Sequence, residues 1–261
     1  MKLCSLSSGS KGNAILVYTQ QTKVLVDCGI SGKALEACLK KIGLSPAELN
    51  AIVVTHEHSD HTKGVGVAMR RFDLPVYANS GTWAAMVDDL GKLNEENIKI
   101  FKGTEGFEIG DIGIQPFEIP HDAAQPVGYR FESGGGSAAV ATDIGALNEG
   151  LFRAIRGCRT VLLEANHDVN LLEIGSYPFP LKRRIRGALG HLSNDEAGLA
   201  AVWLTKLGTE QILLGHLSEE NNYPGLALQT VQNALAEQDI RIGRDVLLDV
   251  ATRAEVSRVF A

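Results

Sequence analysis

The first 97 residues alternate short apolar runs with amphipathic stretches. Three runs rich in β-branched residues predict strands: "AILVY" at 14–18, "KVLVD" at 23–27 and "AIVVT" at 51–55. Residues 31–42 change to a helical period, with Leu35 and Leu39 on one face. Two more helices are predicted at 62–72 and 80–90, on either side of a short strand at 75–78.

Strands dominate residues 98–142, and strands alternate with helices after them. Gly, Pro and Asp separate four predicted strands in the first of these segments: "FEIG", "IGIQPFEI", "GYRFES" and "SAAVAT". The second segment has apolar strands at 160–165, 211–216 and 245–250. Two sheets packed face to face, with helices on both outer faces, account for this α/β order. The sequence has no repeat and no linker, so residues 1–261 are expected to form one domain.

Composition narrows the class of protein. Hydrophobic residues make up 44% of the chain and charged residues 21%, as in ordinary globular proteins. The apolar runs are far too short to span a membrane. The first residues, "MKLCSLSSGSKGN", turn to serine and glycine where a signal peptide needs its apolar stretch. We therefore expect a cytoplasmic protein without membrane association, whose four cysteines are reduced.

Charge gives a more local indication. The net charge of -6 argues against an electrostatic grip on nucleic acid by the whole chain. One basic run, "LKRRIRG" at 181–187, contains Lys182, Arg183, Arg184 and Arg186. This run is either a solvated helix face or a set of contacts to a DNA backbone.

The densest chemistry is in "HEHSDH", which holds three of the seven histidines in six positions, 56–61. It follows an apolar strand, and sites collect at such strand ends. His56 and His58 point the same way if the chain stays extended, whereas Asp60 and His61 follow the turn. These four side chains can serve two metal ions about 3.5–4 Å apart. A zinc-protease helix is excluded, because Asp60 occupies the position that needs the second histidine.

Three more candidate ligands follow apolar strands further along the chain: His121, Asp143 and His216. A structural role explains any one of them, but the series in order predicts a dinuclear centre for two divalent ions. Zinc suits the imidazoles and manganese suits the carboxylates. A water bridging two such ions has its pKa lowered from 15.7 towards roughly 7, which makes a hydroxide nucleophile available at neutral pH.

This pattern resembles the metallo-β-lactamase superfamily of dinuclear hydrolases over essentially the whole chain. The resemblance implies an αββα sandwich of two mixed β-sheets with helices on both outer faces. It also implies the distribution of the ligands: His56, His58 and His121 on one metal, Asp60, His61 and His216 on the other, and Asp143 bridging. Asp60 is counted among the catalytic residues as well. Asp27, at the end of a strand, resembles the first motif aspartate, which braces the metal loop.

Further segments, "SLSSGSKGN", "PHDAAQPVGYRF", "LEANHD", "GHLSN" and "HLSEENN", look like the YycJ/WalJ branch. Members of that branch are described as nucleases that act on DNA from a 5′ end. The resemblance thus implies a phosphodiesterase, a 5′-to-3′ DNA exonuclease with a role in DNA repair. The order of the last motifs is also similar to ribonuclease Z. By that analogy Glu164 orients His191, and His191 gives a proton to the leaving group.

Other residues are candidates for substrate contact. Ser10 and Asn13 lie in a glycine-serine loop that either offers N–H groups to a phosphate or is only a turn. His167 either orients a metal ligand, contacts substrate or is a loop residue, and Ser193 is expected to cap a helix beside His191. The basic residues at 182–184 complete the set.

Several functions remain open at this level. The substrate is expected to be DNA rather than RNA, but an RNA-processing nuclease or a hydrolase of a small ester, thioester or lactam fits the same ligands. A metal-binding regulatory protein without catalysis is a third possibility. The C-terminal tail after residue 250, with Val256, Val259 and Phe260, is expected to dock on the domain or on a second subunit in a homodimer.

Overall fold

A computed structural model describes residues 1–253 and 255–261, and its strands form two sheets. The first sheet has its six strands in chain order: β1 (Lys2–Ser7), β2 (Ala14–Tyr18), β3 (Lys23–Val26), β4 (Ala51–Val53), β5 (Val76–Asn79) and β6 (Ile98–Phe101). Its first three strands are antiparallel, and β3 to β6 are parallel. The first sheet is therefore mixed.

The second sheet has seven strands: β7 (Phe107–Ile109), β8 (Ile112–Glu118), β9 (Val127–Ser133), β10 (Gly136–Ala141), β11 (Thr160–Glu164), β12 (Gln211–Gly215) and β13 (Leu247–Val250). Their order is β13-β12-β11-β10-β9-β8-β7. The meander from β7 to β10 is antiparallel, and β10 to β13 are parallel. This sheet is mixed as well.

The described part of the chain contains nine α-helices: α1 (Gly32–Lys41), α2 (Ser59–Thr62), α3 (Val65–Phe72), α4 (Ser80–Met86), α5 (Glu149–Ile155), α6 (Val169–Ile174), α7 (Phe179–Ile185), α8 (Asn194–Lys206) and α9 (Pro224–Ala236). Short 3-10 turns lie at Pro46–Glu48, Val87–Asp89 and Glu95–Asn97. In the described residues, no helix is long and apolar enough to cross a membrane.

The layers of the fold arise because successive side chains of each strand pack in different cores. Leu162 of β11 packs in the core between the two sheets, and its neighbours Val161 and Leu163 pack in the core beneath α5, α8 and α9. In β3, Val24 likewise faces the other sheet, whereas Leu25 packs in the core that α1, α3 and α4 cover. Successive side chains of a strand point to opposite faces, so a strand buried on both faces is apolar throughout. The expected αββα sandwich is confirmed.

The structure corrects the element boundaries in two places. The predicted helix at 62–72 begins earlier, as α2, and is interrupted before α3. At Gly64 an added Cβ would lie 1.9 Å from the carbonyl oxygen of Ile30, so this close approach requires glycine. The predicted helix at 80–90 is α-helical only to Met86 and then becomes a 3-10 turn.

Strand β1 was not predicted, because its polar residues interrupt the apolar pattern. Ser5 is fully buried, and its N–H donates to the hydroxyl of Ser257 over 2.9 Å. Leu3 and Phe260 exchange two backbone hydrogen bonds, each of 2.9 Å. The tail was expected to dock either on its own domain or on a second subunit. The structure shows it docked on its own domain, at β1. Residue 254 of this tail lies outside the described residues.

Candidate active site

The candidate residues meet where strands of both sheets end. Three of them lie within two residues of a strand end and have left-handed backbones: Asp27 after β3 (φ 59°), Asp143 after β10 (φ 60°) and His216 after β12 (φ 56°). Such φ values are uncommon outside glycine. A turn of this kind redirects the chain abruptly at the strand end. We infer that these three backbones are held by the contacts that their surroundings make.

His56, His58 and His121 form an imidazole cluster. The Nδ1 atom of His58 lies 3.1 Å from Nε2 of His56 and 3.3 Å from Nε2 of His121. The other nitrogen of His121, Nδ1, lies 3.1 Å from the carbonyl oxygen of Gly190. Because a carbonyl only accepts, this Nδ1 carries the proton, and the lone pair on Nε2 faces the cluster. Three ring nitrogens this close together can hold a metal ion.

Asp60, His61 and His216 form a second cluster that can hold a metal ion. The Oδ2 atom of Asp60 lies 3.5 Å from Nε2 of His61 and 3.4 Å from Nε2 of His216. The opposite nitrogens donate to buried carboxylates: His61 Nδ1 to Asp27 over 2.8 Å, and His216 Nδ1 to Glu164 over 2.9 Å. Both rings therefore direct Nε2 towards Asp60.

Asp27 also holds the strand end that precedes the histidines. It accepts from the backbone N–H of Thr55 over 2.8 Å and from the hydroxyl of Thr55 over 2.9 Å. Since that hydroxyl gives its hydrogen to Asp27, it accepts from Nδ1 of His56, 3.0 Å away. One buried carboxylate thus orients two of the histidines, His56 and His61.

Asp143 lies between the two clusters. Its Oδ2 is 3.4 Å from Nε2 of His61, and its Oδ1 is 3.8 Å from Nε2 of His121. Oδ2 is buried and makes no hydrogen bond with any described residue. A buried carboxylate oxygen without a hydrogen bond is costly unless a cation compensates it. The donor set therefore fits divalent metal ions, with Asp143 in reach of both clusters.

Electrostatics distinguish the two clusters in the absence of metal. Burial lowers the pKa of His56 well below its ordinary value, and the neighbouring histidines lower it further. Burial alone would also lower the pKa of His61, but the carboxylates of Asp143 and Asp27 outweigh it and raise the pKa to about 9. For Asp60, burial acts to raise the pKa, but the hydrogen bond and charge of His216 and the charge of His61 lower it. The second cluster thus combines charges of both signs, whereas burial favours the neutral form of His56 in the first.

Glu164, at the end of β11, joins the second cluster to His191. Its Oε1 accepts from Nδ1 of His191 over 2.8 Å and also from His216, and its Oε2 accepts from the backbone N–H of Ile144 over 2.6 Å and of Leu192 over 3.2 Å. Burial acts to raise the pKa of Glu164, but the charges and hydrogen bonds of the two histidines lower it. Glu164 is therefore an ionised acceptor that fixes the ring of His191.

His191 is within ligand distance of Asp143, Glu164 and His216, so distance alone would admit it to a metal site. Its Nδ1, however, is committed to Glu164, which leaves Nε2 as the reactive nitrogen. His191 is one of the residues that line an open cleft of about 320 Å³ above the clusters.

The other sequence candidates are distributed unevenly around this cleft. Ser10 and Arg184 line it, and Arg184 forms a bidentate ion pair with Asp122. Asn13 contacts the second cluster from its Nδ2, 3.1 Å from Nε2 of His61. Lys182 and Arg183 line a different groove on the far side of α7.

Two further candidates are placed away from the cleft lining. His167 is buried, and its Nδ1 has no hydrogen-bond partner among the described residues. Burial lowers the pKa of His167 to about 4. Ser193 caps α8 in a reciprocal capping box with Glu196, as its helix-capping interpretation predicts.

Sequence reasoning missed some residues of the cleft. Asn166, Tyr177, Leu181 and Ser218 line it beside the predicted set. Asn166 lies within the motif "LEANHD", so the sequence did offer a signal that it belongs to the site. Its Nδ2 donates to the carbonyl oxygen of His216 over 2.9 Å. For Tyr177 the sequence offered no signal, because a single aromatic residue in a loop is as often structural.

Comparisons with known proteins agree with this fold and donor set. Residues 22–217 match the model of the beta-lactamase superfamily domain. The chain is 42% identical over 238 residues to the exodeoxyribonuclease YycJ of Bacillus anthracis, covering 91% of this chain and 90% of that protein. It is also 42% identical over 246 residues to the exodeoxyribonuclease WalJ of Streptococcus pneumoniae, covering 94% of this chain and 91% of that one.

Solved structures share the fold at lower identity. The metallo-beta-lactamase fold protein YhfI of Bacillus subtilis superposes with a TM-score of 0.69 at 16% identity, over 98% of this chain and 99% of that one. The short form of human tRNase Z superposes with a TM-score of 0.65 at 13% identity, over 99% of both chains. The chain belongs to the metallo-β-lactamase superfamily and, within it, to the branch that contains YycJ and WalJ.

Proposed function

We propose that this protein is a metal-dependent exodeoxyribonuclease. The observation that carries the proposal is His191, which lines the open cleft beside Asp143 and is fixed by the buried Glu164. A candidate proton donor next to two ligand clusters suits a reaction in which a P–O bond breaks. The identity of 42% to two exodeoxyribonucleases, over at least 90% of each chain, supports DNA as the substrate. A DNA substrate also agrees with the cytoplasmic location expected from the sequence.

We propose two divalent ions, zinc or manganese, for the two clusters. His56, His58 and His121 would hold one, Asp60, His61 and His216 the other, and Asp143 both. When bound, such a pair supplies an activated water and neutralises charge on the phosphodiester. The unpartnered Oδ2 of Asp143 supports this assignment, because a buried carboxylate oxygen without a hydrogen bond is stabilised by a nearby cation.

The chain's own residues act on the leaving group. His191 gives the proton from Nε2 to the leaving alkoxide oxygen as the P–O bond breaks. Glu164 stabilises the protonated ring through Nδ1 and keeps it from rotating. The four hydrogen bonds that Glu164 accepts prevent it from moving away as the charge on His191 changes. Ser10 and Arg184 line the walls of the cleft and would contact the phosphodiester there.

Digestion of double-stranded DNA labelled separately at its 5′ and 3′ ends tests this function. We expect mononucleotides from one end with zinc or manganese, and from the 5′ end if the polarity expected for the branch holds. The Asp143→Ala variant is the control and should release none. Early release of mononucleotides from the 3′-labelled end alone would reverse the expected polarity but still show exonuclease activity. DNA that stays intact with both metals would refute the exodeoxyribonuclease function and favour RNA or a small ester as the substrate.

A further inference from the structure

The two faces of helix α7 line two different concavities. Leu181, Arg184 and Ile185 face the catalytic cleft. A separate groove, of about 440 Å³, is lined by Phe179, Lys182 and Arg183 of the other face and by Arg186 directly after the helix, together with Leu172, Glu173 and Gly187. A helix with its side chains is about 10–12 Å thick. The groove is therefore one helix away from the catalytic cleft.

The groove combines an exposed aromatic ring with an excess of positive charge. Phe179 is 76% exposed, so the face of its ring is open to solvent where it lines the groove. Three cations line the groove against one carboxylate, Glu173. Arg186 lies 3.9 Å from that carboxylate, Lys182 donates to the backbone oxygen of Glu173, and Arg183 makes no ion pair with any described residue. This local positive charge contrasts with the net charge of -6 of the chain.

We propose that this groove binds the unpaired complementary strand of a partly digested DNA duplex. The proposal rests on the exodeoxyribonuclease function given above. An exonuclease that removes nucleotides from one strand leaves the other strand single at the mouth of its cleft. One helix away, an exposed aromatic ring offers a face on which a base stacks, and the cations contact the adjacent phosphates. A paired base keeps its faces within the duplex, so Phe179 selects unpaired DNA.

Charge complementarity favours DNA over a second copy of this chain as the occupant. A second copy also carries a net charge of -6, but its surface offers no regular array of phosphates for Lys182, Arg183 and Arg186. Two contributions are separable in DNA binding. Stacking on Phe179 is independent of salt, whereas each phosphate contact adds about 0.7 to the slope of log affinity against log salt for a single strand.

Fluorescence anisotropy in EDTA, which prevents hydrolysis, tests the groove. The probes are a blunt duplex and a duplex with a short 3′ overhang. The wild-type chain should bind the overhang duplex about tenfold more tightly than the blunt one, and Phe179→Ala should lose that difference. Phe179→Tyr, which keeps the ring, should restore it. Arg183→Ala should lower the salt slope by about 0.7, whereas Phe179→Ala should leave the slope unchanged. Tyr223→Ala removes another exposed aromatic ring and serves as the matched control.

Three results would overturn the proposal. If Phe179→Ala prefers the overhang as strongly as the wild type does, the groove does not bind the unpaired strand. If Tyr223→Ala loses as much preference as Phe179→Ala, the effect is not specific to the groove. If Phe179→Ala converts a dimer to a monomer in size-exclusion chromatography and leaves DNA binding unchanged, the groove binds a second copy. Failure of the exonuclease itself is distinguishable, because the wild type would then not degrade the end-labelled duplex.

Discussion

The hydroxyl of Ser8 accepts a hydrogen bond of 2.8 Å from the backbone N–H of His216. The two residues are 208 positions apart in the chain, so the bond ties the loop after β1 to the end of β12. On the opposite side, Asn166 donates to the carbonyl oxygen of His216. These two bonds hold the left-handed backbone that aims His216 at Asp60.

We therefore expect Ser8→Ala to weaken metal binding at the second cluster. The substitution leaves the buried N–H of His216 without its acceptor, and partners that orient a ligand typically contribute 10–100-fold to metal affinity. Competition with a chromogenic chelator measures this directly in the absence of DNA. Ser10→Ala, in the same loop, should keep the wild-type metal affinity. Equal affinities of Ser8→Ala and the wild type would show that His216 is held by other contacts.

Asp143→Asn tests the shared ligand. The amide keeps the shape of the side chain but removes the charge between the two clusters, where Oδ2 is buried without a hydrogen bond. We expect hydrolysis of DNA to fall by more than about 100-fold and less than the full complement of metal to remain after dialysis. Elemental analysis and the end-label assay measure these two quantities. Full metal content together with full activity would contradict a bridging position for Asp143.

His191 is tested as a proton donor by changing the leaving group. His191→Ala should slow the hydrolysis of DNA by about 10²–10⁴-fold, because an alkoxide leaves poorly without a proton. On a p-nitrophenyl ester of thymidine monophosphate the loss should be much smaller, since p-nitrophenolate leaves without protonation. Comparison of kcat on the two substrates provides the result. An equal loss on both would assign His191 to binding or to metal ligation instead.

The cysteine thiols provide a prediction about pH. Burial raises the pKa of Cys28 to about 12 and that of Cys158 to about 11, and it raises the pKa of Cys4 as well. A raised pKa lowers the thiolate fraction near pH 8, and only thiolate reacts with a disulfide reagent. Burial raises the pKa of Cys38 too, but the charge of Lys41 opposes that shift, and Cys38 is half-buried where the other three thiols are buried. We therefore expect Cys38 to react first in the native protein and all four cysteines to react after denaturation.

The raised pKa values of these thiols also determine how the free energy of unfolding changes with pH. The unfolded chain ionises its thiols above their ordinary pKa of about 9, whereas the folded chain retains the protons. The contribution of Cys28 and Cys158 to the free energy of unfolding is thus complete below that pH and falls as the pH rises towards 11 and 12. Thermal denaturation at increasing alkaline pH measures this loss. Cys28→Ser should show a shallower fall, because a serine does not ionise in this range.

The sequence by itself determined the fold class and the candidate metal ligands. Strands buried on both faces, such as the run around Leu162, are apolar throughout, and this local property reveals a layered sandwich. The candidate ligands were also predictable from the sequence, because each follows an apolar strand and four of them are nearly contiguous, from His56 to His61. Parallel strands bring their carboxyl ends to one edge, so order along the chain already implies proximity.

Only the tertiary structure decided how each side chain is used. The resemblance paired Glu164 with His191, but nothing local indicated that Glu164 also holds His216, or that Ser8 holds a residue 208 positions away. The basic run at 182–184 looked like one surface, yet Arg183 and Arg184 line different concavities. Successive residues of a helix point about 100° apart, since a turn takes 3.6 residues. Which surface each of them meets depends on segments far away in the chain, and folding alone brings those segments together.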